Sequence, residues 1–379
     1  MAAASARSPG SAEPAAASLA ASAPWDAETD DVLTCVAVRA ETHDVKTFVL
    51  AAREPRTFRY RPGQFLTFAF EIGGETLHRC YTISSAPTRP HTLAITVKRV
   101  AGGPVSNWLH DHLAPGDSVR ALGPMGDFSC FTHPGAKYLL LSGGSGVTPM
   151  MAMARTFHDL GAGRDLAFVH SARSPADIVF RDELALMARR DPALSVHAIC
   201  EADAPGEAWT GPRGRLTPAL LRETVPDFLE RTVFVCGPKP YMDAVRAMLA
   251  EAGFDMARYH EESFDFGALP EAEQDAAREA EHALDDAPAA GVRSFRVEFA
   301  KTRRVLDCPE DTTVLDAARK AGIRLPSSCA KGLCGTCKSK VTSGTVAMTH
   351  AGGIRQREID AGMALLCCSR PTSDLVIER

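Results

Sequence analysis

Apolar and polar residues alternate through the first third of the chain. In "HTLAITVKRV" (91–100) Leu93, Ile95 and Val97 share one face, and "RPGQFLTFAF" (61–70) alternates similarly after a Pro-Gly turn. A period of two is that of a β-strand with one buried face. Gly/Pro turns recur at 62–63, 73–74, 102–104, 115–116 and 123–126, so the strands are short. This rhythm predicts a small antiparallel β-barrel reaching to about His133.

The rhythm changes at Lys137. "KYLLLSGGSGVTPMMAMARTFHDL" (137–160) reads as a buried strand, a glycine loop and a helix, with Thr148 as N-cap and Pro149 as first helical residue. "DLAFVHSA", "LSVHAIC" and "RTVFVCG" are further apolar runs, the last followed by the helical "PYMDAVRAMLAEAG". Strands alternating with helices predict a parallel, doubly wound α/β sheet. Near Arg293 the pattern shifts again. "SFRVEFA" and "RRVLDC" read as a hairpin and "TTVLDAARKAG" as a helix closed by Gly322.

Residues 265–291 hold eight acids against one arginine and almost no large apolar side chain, which reads as an acidic linker. Residues 1–27, rich in Ala, Ser and Pro, lack the continuous apolar stretch of a signal peptide. They read as a disordered tail, with a weak transit peptide as the alternative. The expected organisation is a tail (1–27), a barrel domain (28–133), a nucleotide domain (134–264), the linker (265–291) and a last domain (292–379).

Composition narrows the function. The 379 residues, 45% of them hydrophobic, can bury several cores. A net charge of −5 leaves no nucleic-acid footprint. No apolar run approaches the about 18 residues of a membrane span. Eleven cysteines, six of them scattered, fit a reduced cytoplasm better than a disulfide scaffold.

The other five cysteines belong to two C-terminal stretches. "SSCAKGLCGTCKSK" (327–340) spaces Cys329, Cys334 and Cys337 as C-x4-C-x2-C, and "ALLCCSRPTSD" (364–374) adds Cys367 and Cys368 as candidates for one more ligand. Close thiols suit a disulfide framework, a zinc site or an iron–sulfur cluster. A disulfide conflicts with the compartment. Zinc modules usually pair two knuckles, or one with two histidines, and here one knuckle stands with His350 alone. The spacing fits a [2Fe–2S] cluster, in which four thiolates hold two irons. Gly332 and Gly335 give the loop its tight backbone angles. Residues 293–379 resemble the plant-type ferredoxin, an α+β, β-grasp fold. In that family the last ligand follows an apolar pair, so the resemblance implies Cys329, Cys334, Cys337 and Cys367 as ligands, with Cys368 the alternative.

A one-electron cluster needs an electron source, and three motifs bear on it. In "RCYTISS" (79–85) alternation places Arg79 and Tyr81 on one face, a cation and a ring suited to a flavin's phosphate and isoalloxazine, with Thr82 in reach of N5. In "RVAGGPVSNWLHDHL" (99–113) a Gly-Gly-Pro turn opens a helix carrying Ser106 in its first turn, where amides bind diphosphate. In "LSGGSGVTPM" (141–150) a glycine turn follows the first parallel strand, and in "VCGPKPYM" (235–242) Cys236 and Gly237 end another strand at the same sheet edge. Each has a plain structural reading: an edge strand, a loop–helix junction, a buried core thiol.

Together and in this order, the motifs resemble the ferredoxin–NADP+ reductase superfamily over residues 28–264: a flavin barrel followed by a pyridine-nucleotide domain. The resemblance implies that Arg79, Tyr81, Thr82, Ile83, Val97 and Lys98 bind FAD and that Gly102, Gly103, Val105 and Ser106 cradle its pyrophosphate. It implies Gly143, Gly144, Gly146, Thr148, Pro149 and Gly237 for NAD(P), with Cys236 beside the nicotinamide. "ESF" (262–264) is similar to the family's acidic–x–aromatic ending, with Glu262 near the nicotinamide and Phe264 over the flavin. Thr82, Cys236 and Glu262 are the candidate catalytic residues. Ser171 and Arg173 lie where a 2′-phosphate would sit, so NADPH stays open beside NADH.

The whole chain resembles reductase components of Rieske oxygenases, most of all those of monooxygenases demethylating glycine betaine, carnitine or stachydrine. The implied flow is NAD(P)H to FAD to [2Fe–2S] to a Rieske-type oxygenase. Three alternatives stand: an NADH oxidoreductase for hybrid-cluster protein, a non-catalytic flavin/iron–sulfur redox sensor, and a general ferric or quinone reductase. The partner face is expected at the rim of the cysteine loop, where Lys331, Leu333 and Lys338 flank it.

Overall fold

The computed structural model describes residues 22–27, 29–264, 293–323, 325, 327 and 332–379, and three main sheets organise them. Strands β1 (Val32–Thr42), β2 (Val45–Ala52), β3 (Phe65–Ile72), β4 (Glu75–Thr82), β5 (Leu93–Lys98) and β6 (Ser118–Met125) pair antiparallel in the order β4-β3-β6-β1-β2-β5. A bridge between Ile83 and Ile95 ties the two edges, so the sheet closes as the expected barrel. Leu33, Phe48, Leu50, Leu66, Phe68 and Ile95 fill it. Helix α1 (Pro104–His112) buries Val105 and Leu109 against the same core.

The expected tail is shorter than 27 residues. Trp25 is buried 5.3 Å from the Phe58 ring, and its amide donates to Thr57 O at 2.9 Å. An indole gains too much from leaving water to stay in a solvated tail. Residues 1–21 and the linker at 265–291 lie outside the described residues.

The second domain runs β7 (Lys137–Gly143), α2 (Val147–Leu160), β8 (Asp165–Ala172), α3 (Arg181–Arg190), β9 (Leu194–Cys200), α4 (Pro218–Thr224), β10 (Thr232–Gly237), α5 (Lys239–Glu251) and β11 (Tyr259–Ser263). Its strands are all parallel, in the order β11-β10-β7-β8-β9. Alternate side chains serve opposite faces. Leu140, Phe168 and Phe234 meet Met150 and Phe157 of α2, while Leu139, Val169 and Val235 meet Val245 and Leu249 of α5. The sheet is doubly wound, as expected. Thr148 does not cap α2: a 3-10 turn at Gly144–Gly146 runs straight into the helix, Gly146 is the N-cap, and the Thr148 hydroxyl donates back to Ser145 O at 3.3 Å.

The last domain contains β12 (Ser294–Phe299), β13 (Arg304–Pro309), α6 (Val314–Lys320), β14 (Lys338–Ser343), β15 (Val346–Met348), α7 (Gln356–Asp360), β16 (Met363–Leu365), β17 (Ser369–Pro371) and β18 (Leu375–Ile377). The order β13-β12-β18-β14-β16, with β12 and β18 parallel inside an otherwise antiparallel sheet, is a β-grasp. Thr313 caps α6 by accepting from Asp316 N, and Gly322 ends it at φ +66°.

This domain sits on the barrel. Buried Arg355 donates to Asp31 Oδ2 at 3.1 Å and to Ala121 O at 2.7 Å, and Arg357 reaches Asp31 at 3.0 Å. Removing one partner from such a buried pair costs about 3–5 kcal/mol. The expected partner face is overturned here. Leu333 packs on the barrel core, and Lys338 is buried, 2.7 Å from Glu358. Burial pulls the Lys338 amine down, and the Glu358 charge resists it. Lys331 lies outside the described residues.

Candidate functional site

A cavity of about 350 Å³ opens between the barrel and the nucleotide domain. Arg79, Tyr81 and Thr82 reach it from β4, Val97 and Lys98 from β5, and Gly103, Val105 and Ser106 from the start of α1. Phe264 and Thr148 line its other side, with Ser145, which was not anticipated. Thr148 therefore lies on the barrel cavity and not on the neighbouring one. Ile83 and Gly102 do not line it. Ile83 is a fully buried barrel residue at the closing bridge, and Gly102 turns the chain before α1 at φ +71°. The Ser106 hydroxyl accepts from Val100 N at 3.1 Å, holding that turn closed.

The residues present fit a flavin dinucleotide. Tyr81, Val97, Val105 and Phe264 offer apolar surface to a flat ring. Buried Thr82 Oγ1 has no protein partner among the described residues, so a polar edge is missing there. Helix α1 has no acid in its first turn, which leaves its N-terminal amides open to phosphate.

A second cavity of about 350 Å³ adjoins the first, and Lys98 and Ser145 line both. Gly143, Gly144, Ser171 and Arg173 line it as expected. Asp44, Asp177 and Tyr241 also line it and were missed. Tyr241 was within reach of sequence reasoning, four residues after Gly237. Asp44 sits in the β1–β2 turn of the other domain, and no local pattern points to it. Arg173 Nη2 lies 2.5 Å from Asp177 and 3.4 Å from Asp44. Burial alone would raise both carboxyls, but bonds from Ser174 and Arg173 hold Asp177 low, and Thr42 and Lys98 hold Asp44 low.

Gly146, Pro149, Cys236 and Gly237 shape this region without lining the cavity. A Cβ on Gly146 would stand 2.2 Å from Cys236 O, and one on Gly237 would stand 2.9 Å from the Tyr241 ring. Pro149 is buried in the first turn of α2. Cys236 and Glu262 are register partners across β10 and β11. Burial pushes the Glu262 carboxyl up to about 8, and its Oε2 has no partner among the described residues. Burial, and the Glu262 charge after it, push the Cys236 thiol well up. Both favour their neutral forms.

In the cysteine loop, Cys334, Cys337 and Cys367 are buried together, and Cys329 lies outside the described residues. The Cys337 thiol donates to Cys367, which holds Cys367 below the usual thiol range. The Gly332 amide donates to Cys367 Sγ at 3.2 Å. Cys368 is half-buried beside the loop, its sulfur close against Gly332, and its thiol donates to Leu365 O at 3.6 Å. Gly332 and Gly335 take φ +69° and +72°, the angles expected of them. Converging thiols with an amide aimed at sulfur are the donor set of an iron–sulfur site. None of the ten described cysteines is in a disulfide. Among the described residues no helix is long and apolar enough to cross a membrane.

Comparison with known proteins agrees with this geometry. The chain matches the Oxidoreductase FAD-binding domain at residues 33–130, the Oxidoreductase NAD-binding domain at 140–247 and the 2Fe-2S iron-sulfur cluster binding domain at 297–372. It is 47% identical over 348 residues to the glycine betaine monooxygenase reductase subunit of Pseudomonas aeruginosa, covering 92% of this chain and 94% of that one. It is 41% identical over 346 residues to the stachydrine N-demethylase reductase subunit of Rhizobium meliloti, covering 91% and 96%. The crystal structure of phthalate dioxygenase reductase shares the fold, with a TM-score of 0.54, 24% identity and coverage of 93% and 98%. The chain is an oxidoreductase of the monooxygenase reductase family, in which FAD-binding, NAD-binding and 2Fe-2S domains follow one another in a single polypeptide.

Proposed function

We propose that this chain is the reductase subunit of a Rieske-type monooxygenase that demethylates glycine betaine or a close quaternary-ammonium relative, drawing on NADH in the cytoplasm. The carrying observation is the adjacency of the two cavities at Lys98 and Ser145, with the cysteine loop seated on the same barrel. The substrate and the oxygenase partner rest on the likeness to the glycine betaine and stachydrine enzymes.

A flavin and a cluster held here would supply hydride acceptance and one-electron transfer, so that a two-electron donor could feed a one-electron acceptor. Tyr81 and Phe264 would hold the ring, while Arg79 and the first amides of α1 would hold the diphosphate. Thr82 would donate to the ring's polar edge. Gly143 and Gly144 would let the nicotinamide nucleotide approach the backbone, with neutral Glu262 and Cys236 paired behind the cavity wall across β10 and β11. Cys334, Cys337 and Cys367, with Cys329, would ligate the cluster.

Arg173 bears on the choice of nucleotide. A 2′-phosphate reaching for it would meet Asp177 and Asp44 already in place, and like charges at that distance repel. This supports NADH over NADPH.

The test is reconstitution. With NADH, this chain and a glycine betaine-demethylating Rieske oxygenase, formaldehyde should form from glycine betaine, and omitting the chain should abolish it. If the oxygenase stays idle while hybrid-cluster protein is reduced, the acceptor assignment is wrong.

A further inference from the structure

Strand β4 has two faces with different neighbours. Arg79 and Tyr81 line the barrel cavity. His78 and Cys80, one residue out of step, approach the last domain, and Cys80 also borders the barrel cavity. His78 lies near Lys338, Glu358 and Arg379 of that domain, and burial first, then the Lys338 charge, pulls its imidazole down to about 4. Cys80 pairs in register with Thr67 of β3, and cross-strand partners share a face.

That pair meets a single atom. The Thr67 hydroxyl donates to the Cys334 carbonyl at 2.8 Å, and the Cys80 thiol reaches the same oxygen at 3.6 Å. Thr67 Oγ1 and Cys80 Sγ are 3.3 Å apart, and all three residues are buried. The fit is close on the loop side as well. A Cβ on Gly335 would strike Gly353 O at 2.8 Å and lie 3.7 Å from Thr67 Cγ2. One residue of β4 backbone thus separates the flavin face from a donor pair on a cluster ligand.

We propose that Thr67 and Cys80 form a latch that positions the Cys334 loop against the back of the flavin-binding strand, so that electrons cross from flavin to cluster within one docked molecule. The inference rests on the proposed function above. Thr67 is a positioning residue that holds a ligand's peptide group away from the barrel cavity, and Cys80 supports the same group from the cavity wall. Partners of this kind fix ligand orientation and tune the site. For each NADH two electrons would pass singly through the chain's one cluster, the first handed on to the external one-electron acceptor before the second arrives, with one proton released to solvent.

The test uses the full-length holoprotein, with Thr67→Val against Thr67→Ser. Valine keeps the shape and removes the donor, leaving Cys334 O short of a bond, whereas serine keeps the hydroxyl. In stopped flow, NADH should bleach the flavin at the same rate in both variants and the unmodified protein. Cluster reduction should slow about fivefold in Thr67→Val, the factor expected from one net hydrogen bond, and recover in Thr67→Ser. Amide exchange across residues 332–337 should quicken by a similar factor, and the EPR line shape of the reduced cluster should shift. Cys80→Ala should act in the same sense but less, because a thiol is the weaker donor. If Thr67→Val quickens exchange yet the cluster fills at the native rate, the contact is packing only and the latch is overturned. If no readout moves, it is equally overturned. Failure of NADH to bleach flavin in the unmodified protein would overturn the proposed function and the latch with it.

Discussion

Glycine serves two purposes in this molecule, and the contrast separates its two kinds of site. Around the nucleotide cavity it supplies room: a Cβ on Gly146 would collide with the backbone of Cys236. Around the cysteine loop it supplies a dihedral angle: Gly332 and Gly335 sit at positive φ and turn an amide toward Cys367. The first site is a shaped surface on which a flat cofactor can lie. The second is a set of thiols that either closes around a metal or does not. The β3–β4 hairpin joins them, so they should fail separately, and the cluster should fail more abruptly.

The largest expected effect is on the thiol side. Cys367→Ser should abolish the cluster's visible and EPR signals while leaving FAD bound, and Cys368→Ser should keep the cluster. The reverse outcome would move the last ligand to Cys368. Next comes the shaped side. Gly146→Ala forces the 3-10 turn off β10, an overpacking of about 1–3 kcal/mol in stability. Bleaching of flavin by NADH should fall at least about tenfold at fixed NADH, that being the rate equivalent of about 1.4 kcal/mol. Dithionite should still give the native cluster spectrum. A normal rate would show that the close approach of Gly146 is not needed.

A smaller effect should come from the charges around Arg173. Asp177→Asn or Asp44→Asn should release the guanidinium and raise kcat/KM for NADPH relative to NADH by roughly tenfold, about 1.4 kcal/mol of discrimination. An unchanged ratio would remove these carboxylates from the account of selectivity.

The smallest effect is in pH dependence. The Glu262 carboxyl sits at about 8 in the folded protein, against about 4.3 in an unfolded chain. Between these values the folded state binds the extra proton, so its contribution to stability is full below about pH 4 and falls as pH rises toward 8. Thermal melts of nucleotide-free protein should therefore decline over that range, and Glu262→Gln should flatten the decline. Parallel curves for both proteins would mean that Glu262 ionises as an exposed acid does.

Much of this was legible in the sequence because it is local. The C-x4-C-x2-C spacing, the alternation around Arg79 and Tyr81 and the glycine turn after β7 each lie within one short stretch. What escaped depends on contacts between distant segments. Lys338 reads as a surface charge until Glu358 and the barrel cover it. Asp44 reads as a turn residue until Arg173, 129 positions later, reaches it. Thr67 reads as an ordinary strand threonine until Cys334 arrives 267 positions on. The Thr148 cap failed for a local reason, since the turn before it already had helical character.

The most direct measurement is anaerobic stopped flow of the full-length holoprotein mixed with NADH, with flavin and cluster absorbance followed at several protein concentrations. Because the last domain is seated on the barrel through Thr67, Leu333 and Arg355, the cluster should be reduced after the flavin at a rate independent of protein concentration. A cluster-reduction rate that rises in proportion to protein concentration, or a cluster that stays oxidised while the flavin bleaches, would contradict the docked path.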